Sequence, residues 1–122
     1  MILLHGTTRG RAERILQEGP NINFQEPGGQ AGGDGFSMCV EAGPFPFGKP
    51  EEYARGKAAE FPDESGPAIL VVDIPEDIVA RAVSEWFPLS QGLVQFDPGA
   101  GLEELLAAWP TLQKHVVDLS NE

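Results

Sequence analysis

The sequence predicts a single α+β domain, and three observations carry that prediction. The chain has 122 residues, which suits one compact core spanning 1–122 and leaves little room for a second. Short strand-like apolar runs interleave with segments of helical spacing. The connections between them are irregular and rich in glycine and proline, which fits a sheet with flanking helices better than a doubly wound parallel sheet. A hydrophobic share of 41% with 22% charged residues is the profile of a soluble globular chain.

Taken in order, residues 1–4 are an apolar run suited to a buried strand, with His5, Gly6 and Thr7 expected at its end. From residue 8 to 18 the spacing turns helical. Ala12, Ile15 and Leu16 fall at i, i+3 and i+4, while Arg11, Glu13, Arg14 and Gln17 take the other face. Gly19-Pro20 is a helix stop. Between residues 21 and 50 glycines and prolines dominate, so this is loop with a short strand at 36–40. So glycine-rich a loop in a small domain is either functional or disordered. Pro50 opens a helix over 50–61 with Ala54, Ala58 and Phe61 on its apolar side and Tyr53 alongside. Pro62 and the cluster DESGP at 63–67 end it. AILVVDI at 68–74 reads as a central strand, 75–83 as a helical turn and GLVQFD at 92–97 as a further strand. LEELLAAW at 102–109 is helical, and HVVDL at 115–119 is a last strand or extended tail.

The charge balance excludes several classes of function. Eight basic against 19 acidic side chains give a net charge of −11, which repels a phosphate backbone and argues against nucleic acid as a partner. A small anionic ligand stays open, because backbone N–H groups and a helix N-terminus can hold a phosphate within an acidic protein. No apolar run approaches the roughly 20 residues that span a bilayer, and no export signal is seen, so a cytoplasmic location is expected. One cysteine, Cys39, rules out an intramolecular disulfide, and it reads as a small core residue. Two histidines and one thiol match no standard zinc spacing, so no metal site is expected. None of the serines has a nucleophile-elbow setting. The adjacent acidic pairs read as solvated surface, and Trp86, Phe87 and Trp109 as packing residues.

The segment LLHGTTRGRAERILQEGP places a histidine beside a glycine, whose missing Cβ lets backbone approach a ligand closely. Apolar strand, His-Gly-Thr, short helix, glycine-rich loop, Gly-Phe-Ser, a helix with an early tyrosine and a valine-rich strand then follow one another. That order resembles the ADP-ribosyltransferase fold, in the branch of diphtheria toxin and the poly(ADP-ribose) polymerases, over residues 2–97. The resemblance implies a split pair of small antiparallel sheets with flanking helices around a cleft that binds NAD as substrate. It assigns His5 to the adenosine ribose, the Gly6 backbone to the nicotinamide amide and Thr7 to a supporting hydroxyl. Gly35, Phe36 and Ser37 take the place of the second motif, with Ser37 where relatives carry a stacking tyrosine, and Tyr53 is the candidate for a second aromatic wall. Arg9 and Arg11 are candidates for diphosphate contact. At the third motif SQGLVQFDP has Gly92 where relatives carry a glutamate, with Gln91 just before it as the group near the anomeric carbon, and Glu41 or Glu103 would have to supply a carboxylate. The activity implied is cleavage of the N-glycosidic bond of NAD, with transfer of ADP-ribose to a protein, a nucleic acid base or a small acceptor, or hydrolysis of NAD. Two alternatives stand beside it: a catalytically inactive member that binds NAD, ADP-ribose or a protein, and an acidic interaction protein with no ligand.

Overall fold

The computed structural model describes residues 1–20, 36–42, 48–60, 62–82, 92–96 and 100–120. Five strands and four helices alternate along them: β1 (Ile2–Thr8), α1 (Arg9–Glu18), β2 (Phe36–Val40), α2 (Pro50–Glu60), β3 (Pro67–Asp73), α3 (Glu76–Ala82), β4 (Leu93–Phe96), α4 (Ala100–Ala108) and β5 (Lys114–Asp118), with a 3-10 turn at Trp109–Thr111. All the strand pairs are antiparallel, in the order β4-β2-β1-β3-β5, so the mixed α+β class holds.

Local chemistry accounts for most of the boundaries. Thr8 ends β1 and caps α1, its hydroxyl accepting from the Arg11 N–H at 3.4 Å. Gly19 closes α1 at φ 84°, where its N–H reaches the Ile15 carbonyl at 2.8 Å. Pro67 has no N–H to lose at the first position of β3. Pro75, just ahead of α3, supplies a carbonyl to the N–H groups of Ile78 and Val79.

Strand alternation divides the core in two. One face of the sheet carries Leu3, Met38, Val40, Leu70, Val72, Val94 and Phe96 against α1, α3, α4 and Trp109, whose indole donates to the Leu16 carbonyl at 3.1 Å. The other carries Leu4, Cys39, Ile69 and Leu119 against Ala54 and Ala58 of α2. Trp109 is thus a core residue, as its sequence suggests, while Trp86 and Phe87 lie outside the described residues.

The strands form one sheet rather than two, but its halves are joined narrowly. β1 pairs with β3 over seven residues and with β2 over two, Leu3 with Val40 and Leu4 with Cys39. Beyond Leu4 the β1–β2 ladder stops, although both strands continue. Among the described residues, β4-β2 thus joins β1-β3-β5 within the one sheet through a two-residue seam, and the split pair of sheets that the resemblance implies is not found.

Candidate functional site

His5 is not at the end of a strand, as its sequence context suggests, but in the middle of one. β1 runs on to Thr8 because Thr7 and Thr8 keep pairing with Ala68 and Pro67 of β3. The strand end that matters at His5 is on its other side, where pairing with β2 has ceased.

The geometry of that gap follows from the direction of the backbone groups. The Ile2 carbonyl accepts from Glu41 N–H at 3.0 Å, and Arg9 N–H reaches the Gly66 carbonyl at 2.8 Å. Because successive residues of an antiparallel strand turn their polar groups to opposite edges, Ile2, Leu4 and Gly6 face β2 and the odd-numbered residues face β3. The N–H and C=O of Gly6 therefore point into the gap. On β2 the odd-numbered residues face β1, so Ser37 points into it from the other side. The Ser37 carbonyl does not return to Gly6; it accepts from His5 Nδ1 at 2.7 Å. A carbonyl can only accept, so Nδ1 carries the proton, and in the neutral ring Nε2 is an acceptor.

The side chains around the gap come from both faces. Phe36 packs against the His5 ring with centroids 4.6 Å apart and planes tilted by 42°. It lies on the face of Met38 and Val40, as alternation requires, while Ser37 is exposed. Gly6 faces α2, and a Cβ there would sit 1.9 Å from the Ala54 carbonyl oxygen. The missing side chain thus lets α2 lie directly on β1, a packing reason for glycine that stands beside any ligand. With about 3.6 residues per turn, Ala54 and Ala58 face the sheet, Glu51 and Arg55 lie on one flank, and Tyr53 and Lys57 on the other. The Lys57 ammonium stands 5.8 Å from the Tyr53 ring centre. Glu51 and Arg55 border a groove over β3 and β5, so Tyr53 takes the flank toward β2 and the gap.

Thr7 shares the face of His5 and is 1% exposed, and its hydroxyl oxygen has no hydrogen-bond partner. A buried hydroxyl without a partner costs about 1–3 kcal/mol, so this group is held in place at a cost to the free protein.

The structure separates other residues that the sequence grouped here. Arg9 reaches Glu13 at 3.2 Å and Asp118 of β5 at 3.3 Å, which turns it away from the gap. The N-terminal amides of α1 are also occupied: Arg9 N–H by Gly66, Gly10 N–H by the Ser65 hydroxyl at 2.8 Å, and Arg11 N–H by Thr8. Asp63 holds that Ser65 hydroxyl, and the bond keeps its carboxyl below the usual aspartate range. Glu41 follows β2 at the seam, and Glu103 is exposed on α4. Gly35 and Gln91 lie outside the described residues. The Cys39 thiol is buried and donates to the Pro50 carbonyl at 3.6 Å, and burial pushes its pKa up to about 11, which makes it a poor nucleophile.

Two features were not legible in the sequence. The His5–Ser37 bond depends on where the β1–β2 ladder ends, which no local pattern encodes. The groove of about 560 Å3 between α2 and the β3-β5 half is floored by Leu4, Ile69, Val71, Val117 and Leu119, which alternation places on one face only once the register is known. Among the described residues no group of three or more His, Cys, Asp or Glu side chains could hold a metal ion, and no helix is long and apolar enough to cross a membrane. Comparison with protein families, curated proteins and solved structures finds no match to this chain.

Proposed function

We propose that the protein is ADP-ribosyltransferase-like, binding NAD in the gap between β1 and β2 and transferring ADP-ribose to an acceptor. The observation that supports this most is the strand edge at Gly6. A primary carboxamide offers one acceptor and two donors, and a strand-edge N–H and C=O on one residue complement it, as another strand would. His5 stands beside that edge, its ring held by the bond from Nδ1 to the Ser37 carbonyl, on the side where the resemblance puts the ribose. Tyr53 on one side and the His5–Phe36 pair on the other supply ring surfaces for the nicotinamide and ribose.

In this reading the chain's residues mainly position the substrate. Holding the glycosidic bond between groups that exclude water contributes several kcal/mol without a full acid-base set. The resemblance assigns Gln91 to the anomeric carbon, where an amide would stabilise developing positive charge less than a carboxylate does.

A second reading, an NAD- or ADP-ribose-binding module without turnover, is favoured by one observation: Glu41 borders the groove under α2 rather than the gap. Nicotinamide release from NAD separates the two readings. A thermal shift with NAD tests both, since ligand at 100 times its Kd stabilises by about 2.7 kcal/mol. Binding in the gap predicts that His5→Ala abolishes the shift. A shift that survives in His5→Ala places the ligand elsewhere, and no shift in the parent protein refutes both readings.

A further inference from the structure

The two outer strands of the sheet differ. On β4, Val94, Gln95 and Phe96 are all buried. On β5 none of the five residues is fully buried, and His115 is exposed. The direction of its backbone groups is fixed by two bonds to the β3 side, Asp73 N–H to the Gln113 carbonyl at 2.9 Å and Leu119 N–H to the Pro67 carbonyl at 3.0 Å. The odd-numbered residues 113–119 therefore turn toward β3, and the N–H and C=O groups of Lys114, Val116 and Asp118 face outward. Such an edge is a template for a further strand.

The sequence of this edge, KHVVD, is complementary in charge to itself. Set antiparallel about a two-fold axis through Val116, a second copy places Asp118 of the partner subunit opposite Lys114, and the partner's Val116 opposite Val116. All three resulting pairs are of the hydrogen-bonded kind, so each outward N–H and C=O of the strand is matched. Opposite charges facing across a strand pair are favourable, and like charges are not. A slip of two residues in either direction leaves Lys114 or Asp118 without its opposite charge, and a slip of one turns the side chains to the wrong faces. Lys114 can take the extra bond, because its ammonium donates to the Trp109 carbonyl at 2.6 Å and to the Leu112 carbonyl at 3.1 Å and has a third proton. On the other face His115 and Val117 border the groove under α2, and in this register the two grooves meet across the axis.

We infer that β5 is a homodimer edge, joining two copies of the chain in one continuous ten-stranded sheet through antiparallel pairing centred on Val116. This surface lies at the far side of β3 from the gap beside His5 and does not depend on what that gap binds. Sedimentation equilibrium of the full chain, from low micromolar to submillimolar concentration, should show a reversible rise toward twice the 13.1 kDa chain mass. Val116→Pro removes an outward N–H that β3 does not use, a loss an edge strand tolerates, and should leave far-UV circular dichroism unchanged while abolishing the rise. Should that variant fail to fold, amide exchange of the parent chain decides. Lys114, Val116 and Asp118 should gain at least tenfold protection on concentration, while His115 and Val117 stay protected throughout. A parent chain monomeric at every concentration, a dimer that survives in well-folded Val116→Pro, or exchange at the three outward amides that is independent of concentration overturns the proposal.

Discussion

Gly6→Ala is the substitution whose effect the packing fixes most closely. The new Cβ would lie 1.9 Å from the Ala54 oxygen, 2.8 Å from the Ala54 carbonyl carbon and 3.0 Å from the Ala58 nitrogen. All three are helix backbone, so no side chain can swing aside. To bring the nearest contact to even 3.0 Å, α2 must retreat from β1 by more than 1 Å. A gap of that size forfeits a quarter to a half of the dispersion well for each atom pair it opens. Ala54 and Ala58, each 1% exposed, hold α2 to Leu4, Cys39 and Ile69 through such contacts alone. We expect a loss of about 3 kcal/mol, the upper end for overpacking, and a fall in Tm of about 12 °C for a domain of this length. Gly56→Ala on the same helix is the matched control. Its Cβ would meet nothing within 4 Å, so the helix should gain about 0.8 kcal/mol. Thermal unfolding followed by circular dichroism reads both. A Gly6→Ala variant that melts with the parent protein would refute the claim that α2 lies directly on the strand.

Further outcomes follow from two buried groups. Thr7→Val removes a hydroxyl that has no partner, so it should stabilise the free protein by about 1 kcal/mol in urea unfolding, and a destabilised variant would mean that the hydroxyl is bonded. If that hydroxyl serves a ligand, the same variant loses thermal stabilisation by NAD. Cys39, with its thiol pushed up to about 11 from 9.0, should resist iodoacetamide near pH 8 in the native state and react quickly in urea. Between those two values the unfolded chain sheds a proton that the native chain keeps, so stability should fall as pH rises from 9 toward 11. Cys39→Ala should flatten that decline.

Much of the fold was legible because its signals are local. Gly19-Pro20 ended α1, Pro50 opened α2, and the β-branched run before Ile74 gave β3, each within a residue or two of its place. β1 was read too short, since the apolar run stops at Leu4 and helical spacing begins at Thr8, and only the facing Ala68 and Pro67 make Thr7 and Thr8 strand. The candidate site was legible in part. His5, Gly6, Phe36 and Ser37 flank the end of the β1–β2 ladder and Tyr53 lies on one flank of α2, while Arg9 turns to Glu13 and Asp118, a choice that depends on how β5 lies beside β3. Sequence also gave one reason for Gly6, ligand access, where the fold supplies a second, the seat of a helix.

The proposed function stands on the gap between β1 and β2 beside His5 accepting a nicotinamide dinucleotide. Titrating NAD into isotope-labelled protein and following amide resonances tests it most directly. Binding in the gap should give saturable shifts at Gly6 and Ser37, with smaller ones at Tyr53, and none at Val71 or Val117 in the groove under α2. Unmoved Gly6 and Ser37 amides at millimolar NAD, or shifts confined to that groove, would contradict it.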